Sequence, residues 1–175
     1  DRISSVMAEA ELSARAADDE LALLRLSQDP EIRKLAAGGA ALALLWDVCQ
    51  TPDFRKIAPD QHARLLGEIY LQVVRDGRVS AGWLAPRVLR HDRTDGDIDA
   101  ISARIAHVRT WTYLTHRAGW VEDAAYWQEK ARSIEDSLSD ALHEKLTQRF
   151  VDRRTSVLLQ KLKDDVPLLA GIAED

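Results

Sequence analysis

The chain has very little cysteine and no long apolar run. Its 175 residues include one cysteine, Cys49, so no intrachain disulfide can form, which fits a reducing compartment such as the cytoplasm. A membrane-spanning helix needs about eighteen consecutive apolar residues, and the sequence contains no such run. The first residues, DRISSVMAEAELS, lack the basic start and apolar core of a signal peptide. They also lack an initiator Met, which indicates a piece of a longer protein.

Motifs for catalysis and for cofactor binding are also missing from the sequence. It has no Gly-rich phosphate loop ending in Lys-Ser/Thr and no dinucleotide fingerprint. The adjacent carboxylates Glu135 and Asp136 would point in different directions on a helix. No histidine has a second His or Cys at a zinc-binding spacing; the histidines are His62, His91, His107, His116 and His143. We therefore predict no catalytic residue, no metal site and no cofactor-binding residue within this chain.

Glycine and proline, the residues that interrupt helices, are few. The chain has 8 Gly and 5 Pro, while Leu, Ala, Arg, Asp and Glu dominate. Apolar residues make up 46% and charged residues 30%, which is typical of a globular domain rather than a disordered one. No segment alternates between apolar and polar residues as a half-buried strand does. The sequence therefore predicts an all-α fold, a single array or bundle of about seven or eight helices.

Local signals predict where several helices begin and end. Asp29 before Pro30 is typical of a helix N-terminus, because Asp caps free N–H groups and proline suits the first helical position. Residues 59–76 carry apolar side chains at helical spacing and are followed by Gly77, a residue typical of helix C-termini. Two further helical patterns run over residues 97–117 and from Glu122 onward.

The most apolar stretch, residues 40–50, predicts a central buried helix. A turn at residues 51–53 follows it, and we expect Trp46 and Phe54 to anchor the core on either side of that turn. Cys49 lies inside the apolar stretch, where a lone cysteine is typical of a small buried hydrophobic residue rather than a reactive thiol.

The pattern over residues 97–117 has one apolar stripe, with Arg104 and His107 on other faces. The later pattern continues without Gly or Pro to Lys163, either as one long helix or as two helices with a bend near Asp152. Trp111, Trp120 and Trp127 are candidates for stacking on bases. However, Trp111 and Trp127 lie in phase with the apolar stripes, which favours a place in the core.

Positive charge is concentrated near the end of this acidic chain. The net charge is −5 overall, but residues 140–163 contain six Lys and Arg against three Asp and Glu, a net charge of +3. Leu138, Leu142, Leu146 and Phe150 recur every four residues and predict a buried stripe on a helix. The candidate residues for nucleic-acid binding or domain docking lie along this segment; they are Lys145, Arg149, Arg153 and Arg154. Arg109 and Arg117, on the preceding helix, are weaker candidates. The alternative is an ordinary solvated face with internal ion pairs, for instance between Arg149 and Asp152.

Three segments resemble a known family of helicases. They are LWDVCQTPDFRK at residues 45–56, DIDAISARIAHVRTWTYLTHR at residues 97–117 and DALHEKLTQRFVDRRTS at residues 140–156. Each resembles the helical region that follows the motor core in bacterial helicases related to the mitochondrial degradosome RNA helicase, the Suv-type branch of the DExH-box helicases. The resemblance covers most of residues 18–156.

This resemblance implies an accessory helical domain of an ATP-dependent RNA or DNA helicase. Such a domain packs on the RecA-like motor domains of the same chain and helps to enclose single-stranded nucleic acid. ATP and Mg would belong to those missing motor domains, so no catalytic residue of the family is carried over. We expect residues 1–17 to lead in from a preceding domain, residues 18–163 to form the accessory domain, and residues 164–175 to be a frayed end.

Two other functions remain open from the sequence. One is a protein-interaction or scaffolding module that docks an exoribonuclease or another subunit without touching nucleic acid. The other is a free-standing helical regulator unrelated to helicases. Neither alternative involves a membrane, and salt-dependent binding of a single strand distinguishes the helicase domain from the scaffold.

Overall fold

The computed structural model describes residues 18–56 and 58–164, and these form seven helices with no strand. The helices are α1 (Asp18–Leu26), α2 (Pro30–Leu35), α3 (Gly39–Cys49), α4 (Pro59–Asp76), α5 (Ala81–Leu89), α6 (Ile98–Thr115) and α7 (Ala124–Asp164). The predicted all-α fold with about seven or eight helices is confirmed. The predicted lead-in at residues 1–17 and the end beyond Asp164 lie outside the described residues.

Local chemistry sets the helix ends at the predicted places. The Asp29 carboxylate accepts hydrogen bonds from the N–H groups of Glu31 at 2.8 Å and Ile32 at 3.2 Å, which caps α2. Asp97 caps α6 in the same way, through a 2.8 Å hydrogen bond from the Ala100 N–H. Gly77 ends α4 with φ of 78°, a left-handed conformation that glycine adopts without a steric cost.

Helix α4 is the centre of the first half of the molecule, because α1, α2 and α3 all pack against it. Its side chains Leu66, Ile69 and Tyr70 are fully buried. Gly67 lets two neighbours approach closely: a Cβ at this position would lie 3.1 Å from a methyl of Leu26 and 3.3 Å from a methyl of Ile32.

The second half of the core lies between α6 and α7. Trp111 of α6 and Trp127, Ile134 and Leu138 of α7 are buried there. A single parallel bridge joins the loops before α5 and before α7: the Val79 N–H donates to the Trp120 carbonyl at 2.7 Å, and the Val79 carbonyl accepts from Glu122 N–H at 3.0 Å. Buried residues of both halves belong to one continuous core.

Helix α3 is not the central buried helix that its apolar sequence predicts. Only Leu45, Val48 and Cys49 are buried on it, while Trp46 remains 37% exposed. Phe54, predicted as the second core anchor, is 38% exposed. Both predictions are wrong because α3 packs on α1 and α4 from one side, and an apolar run without period does not indicate which side that is.

Helix α7 is one continuous helix of 41 residues rather than two. At about 1.5 Å per residue it is roughly 60 Å long. Its first part packs on α6, but Leu146 is 47% and Phe150 61% exposed. The predicted buried stripe is therefore wrong beyond Leu142: Leu146 only borders a groove with α6, and Phe150 is more exposed still. Residues 143–163 are called the α7 extension below.

Candidate nucleic-acid and docking interface

The α7 extension carries most of the candidate residues that the sequence predicts. It contains six Lys and Arg against two acids, Glu144 and Asp152, a net charge of +4. It contains neither glycine nor proline, so nothing in its sequence interrupts the helix. The amide of Gln148 donates to the carboxylate of Asp152 at 2.8 Å, a pair one helical turn apart that supports the exposed helix.

Lys145, Arg149 and Arg153 form a row along one side of the α7 extension. They are four residues apart, so their side chains leave the helix at intervals of about 6 Å. Lys145 is half-buried, whereas Arg149 and Arg153 are exposed. Within the described part of the chain, no salt bridge engages any of the three. The alternative pairing of Arg149 with Asp152 is absent from these salt bridges; the described partner of the Asp152 carboxylate is the Gln148 amide. We call Lys145, Arg149 and Arg153 the cation row.

Beside the cation row lies a broad exposed apolar face, which covers more than half of the helix circumference. Its members are all about half exposed or more; they are Leu146, Phe150, Val151, Val157, Leu158, Leu159 and Leu162. Arg154 belongs to this face, with its guanidinium carbon 5.8 Å from the centre of the Phe150 ring. A shallow groove of about 360 Å³ runs between Phe150, Arg153, Arg154, Val157 and Leu158. Exposed apolar side chains this dense are typical of a surface that another macromolecule covers.

The two weaker candidates, Arg109 and Arg117, have partners within the domain. The Arg109 guanidinium donates to the Glu135 carboxylate at 3.0 Å and so joins α6 to α7. Arg117 lies 3.7 Å from the carboxylate of Asp47, with its guanidinium over the Trp120 ring at 4.9 Å. Arg109 also lines a groove beside Leu142 and Leu146, where the α7 extension begins. Arg117 follows the opposite end of α6 and does not join the cation row.

The three tryptophans considered for base stacking are buried. Trp111, Trp120 and Trp127 all belong to the hydrophobic core, so the expectation of a core role for Trp111 and Trp127 is confirmed. Phe150 is an exposed aromatic ring beside Arg153 and Arg154.

A second polar cluster, which sequence reasoning missed, lies in the interior. The rings of His91 and His107 stack with centres 4.7 Å apart and planes 16° apart. The Arg90 guanidinium donates to the His91 ring at 3.0 Å. Burial, followed by the nearby His107 and Arg90, lowers the pKa of His91 to about 4. Both rings are therefore neutral at pH 7, since burial also lowers the pKa of His107.

Arg104 lies close to this cluster. The sequence places it on a face of α6 other than the apolar stripe, and in the structure it is only 9% exposed. Its guanidinium donates to the carbonyl oxygens of Arg93 and Asp95, with 3.1 Å to Arg93, and so fixes the loop before α6. The sequence carries no signal for this role, because the loop carbonyls reach Arg104 only in the folded chain.

The loop after α3 brings further charged groups to the same region. Arg55 Nε lies 3.5 Å from the Asp53 carboxylate, and the ring of His62 forms a 3.0 Å hydrogen bond with the Thr51 carbonyl. Burial lowers the pKa of His62. Among the described residues no group of three or more His, Cys, Asp or Glu side chains is arranged to hold a metal ion. Burial raises the pKa of the Cys49 thiol to about 12, so this cysteine is the buried hydrophobic residue that the sequence predicts.

Within the described residues, no helix is both long and apolar enough to cross a membrane. Comparisons of the chain with protein-family models, with curated proteins and with solved structures found no match.

Proposed function

We propose that this chain is the accessory helical domain of a Suv-type ATP-dependent helicase and that its cation row faces single-stranded nucleic acid, RNA in the first instance. The observation that supports contact with nucleic acid is the cation row. Lys145, Arg149 and Arg153 project from the domain without ion-pair partners among the described residues. The three helicase-like segments support the proposal that the parent protein is a helicase. The cytoplasm, where the single cysteine would stay reduced, is the proposed compartment.

Electrostatics explains why this row suits a phosphate backbone. An unpaired cation keeps its charge available to a ligand, whereas a cation such as Arg109 is already neutralised by Glu135. Three cations at intervals of about 6 Å on a rigid helix present charge along a line, as a polyanionic strand does. The remainder of the chain is acidic, so a strand is attracted to the α7 extension and repelled elsewhere.

In this proposal the domain binds and positions the strand, and it does not hydrolyse ATP. The parent protein's RecA-like domains would bind ATP and Mg and drive translocation. The α7 extension would line one wall of the path that the strand follows after leaving the motor. Direct base readout is not part of this role, because contacts to phosphates are independent of sequence.

The first test is the affinity of the chain for a labelled single-stranded RNA at low salt, measured by fluorescence anisotropy. We expect Arg149→Ala/Arg153→Ala to weaken binding roughly tenfold, since two exposed charge contacts of up to about 1 kcal/mol each are lost. The matched control is Arg64→Ala/Arg78→Ala, which removes two exposed cations outside the α7 extension. Equal weakening by both pairs, or by neither, would contradict the proposed contact.

A second candidate function, a docking module for a nuclease or another subunit, is favoured by the exposed apolar face of the α7 extension. A bound nucleic-acid strand would cover the cations that contact its phosphates. It would leave aliphatic side chains such as Leu158 and Leu162 exposed to water, whereas a protein partner would cover them. If no single strand binds even at low salt, the docking module becomes the better proposal.

A further inference from the structure

Ser156 is a serine of the α7 extension with two arginines close before it. Arg153 and Arg154 occupy the third and second positions before Ser156, and the apolar Val157 follows it. Among residues 18–56 and 58–164, no other serine or threonine has arginine at both of these positions. Protein kinases select their substrates partly by charge, and those that select basic segments place carboxylates opposite such arginines. Ser156 therefore has the local charge pattern of a phosphorylation site.

The hydroxyl of Ser156 is also accessible to a modifying enzyme. Ser156, Arg153 and Arg154 are all exposed, and the Ser156 Oγ donates only within the helix, to the Asp152 carbonyl at 2.9 Å. The groove beside Ser156 is lined by residues of α7 alone, so opening this part of the helix breaks no buried packing with another helix. A helical segment of this length without packing is only marginally stable in water, so it can open locally to enter an enzyme's active site.

Ser156 lies on the same side of α7 as the cation row. It follows Arg153 by three residues, about one helical turn, and Arg149 by seven residues, about two turns. The neighbouring hydroxyl of Thr155 is turned about 100° away, towards the apolar face, and donates to the Val151 carbonyl at 3.0 Å. A phosphate on Ser156 would therefore join the cation row, whereas a phosphate on Thr155 would not.

A phosphate at this position would remove most of the charge of the row. Phosphoserine carries a charge of about −1.5 to −2 at pH 7, while the row contains three cations. The net charge of the α7 extension would fall from +4 to about +2. Arg153, one turn away, is close enough to donate charge-assisted hydrogen bonds to the phosphate oxygens.

We propose that Ser156 is a phosphorylation site for an ATP-dependent serine kinase that selects basic segments, and that its phosphate neutralises the cation row. In this reaction the Ser156 Oγ forms a bond to the γ-phosphorus of ATP, and the bond from that phosphorus to the bridging oxygen breaks. ADP leaves, and the hydroxyl proton passes to the catalytic carboxylate of the kinase. The modification itself is independent of the proposed function, whereas its effect on RNA binding rests on that function.

The first test maps the modification. The chain is incubated with MgATP and a serine kinase that requires arginine at the second and third positions before the serine, and its mass is measured before and after digestion into peptides. We expect one added phosphoryl group, about 80 Da, located on Ser156. Ser156→Ala abolishes the addition, and the matched control Thr155→Ala retains it.

Two results of this mapping would overturn the proposal. One is an equal addition to the unmodified chain and to Ser156→Ala, which would place the phosphate elsewhere. The other is phosphorylation of a peptide of residues 149–160 but not of the folded chain, because the helix would then protect the serine.

The second test measures what the phosphate does to the cation row. We expect the phosphorylated chain to bind labelled single-stranded RNA roughly tenfold more weakly than the unmodified chain. The slope of log affinity against log salt concentration should become less steep by about 1.4, because two of the three cations are neutralised. Equal affinity of the two forms would overturn the effect on the row. Absence of RNA binding by the unmodified chain would contradict the proposed function and leave the mapped site in place.

A matched pair of variants shows whether the position of the charge matters. Ser156→Glu and Thr155→Glu add the same charge at adjacent exposed positions, which point about 100° apart around the helix. We expect Ser156→Glu to weaken RNA binding at least roughly threefold more than Thr155→Glu does, because only the first charge lies in the row. Equal weakening would show a general effect of charge and would overturn the assignment of the phosphate to the row.

Discussion

At the scale of single residues, the most informative side chain is Arg104, which is buried and binds the carbonyl oxygens of the loop before α6. Neither this role nor the stacking of His91 on His107 could be predicted from the sequence. Their partners are distant along the chain, and nothing local distinguishes a buried arginine or histidine from an exposed one. The core positions of Trp111 and Trp127 were predictable, because helical spacing alone places them in the apolar stripes.

Arg104→Ala tests the loop contact. The variant leaves the Arg93 and Asp95 carbonyls without their charged donor, so we expect the free energy of unfolding to fall by about 2–3 kcal/mol. Urea denaturation measures this change. Arg132→Ala, at an exposed position of α7, is the control and should change stability by less than about 0.5 kcal/mol. Equal stability of the two variants would show that the loop does not depend on Arg104.

The pH dependence of stability tests the stacked histidines. The pKa of His91 is lowered in the folded chain to about 4 from 6.5, so the unfolded chain binds a proton more readily. The part of the folding stability that depends on a neutral His91 is fully present above about pH 6.5. It is lost as the pH falls towards 4. A shift of this size corresponds to roughly 3 kcal/mol.

Replacing His91 by phenylalanine retains an aromatic ring and removes the titrating group. We expect His91→Phe to lose less stability than the unmodified chain between pH 7 and pH 4, as measured by urea denaturation at several pH values. Carboxylates titrate in both chains, so the difference between them reports on His91 together with His107, which stacks on it. The same pH dependence in both chains would contradict a buried neutral imidazole.

At the scale of elements, helix boundaries were predictable, whereas burial was predictable only in part. Asp29, Asp97 and Gly77 set boundaries through local backbone chemistry that the sequence shows directly. The exposure of α3 and of the α7 extension was not predictable, because an apolar stripe is buried only where another element lies opposite it. Lys145, Arg149, Arg153 and Arg154 lie on a helix, but the stripe that they were expected to flank is exposed, because this part of the helix lies beyond the core.

Two glycines allow a matched test of a helix end. Gly77 has φ of 78° at the end of α4, so Gly77→Ala forces a left-handed alanine and should lower the free energy of unfolding by about 1 kcal/mol. Gly82 lies inside α5 with open space around its Cβ position, so Gly82→Ala should raise stability by up to about 1 kcal/mol. Thermal denaturation measures both. Changes of the same sign would contradict this account of the α4 end.

At the scale of the whole molecule, a compact helical core supports one long helix that leaves it. The buried core stabilises the helices up to Leu142. The α7 extension adds exposed cations and exposed apolar side chains, which do not stabilise the core. Surfaces of this kind are typical of binding sites. The cation row suits a nucleic-acid strand, and the apolar face beside it suits a second macromolecule.

The central claim is that the cation row binds phosphates, and the salt dependence of single-stranded RNA binding tests it most directly. Each phosphate neutralised on a single strand contributes about 0.7 to the slope of log affinity against log salt concentration. With three cations in the row, we expect a slope of about −2, which becomes less steep by about 1.4 in Arg149→Ala/Arg153→Ala. An unchanged slope in this variant, or a slope near zero in the unmodified chain, would contradict the claim.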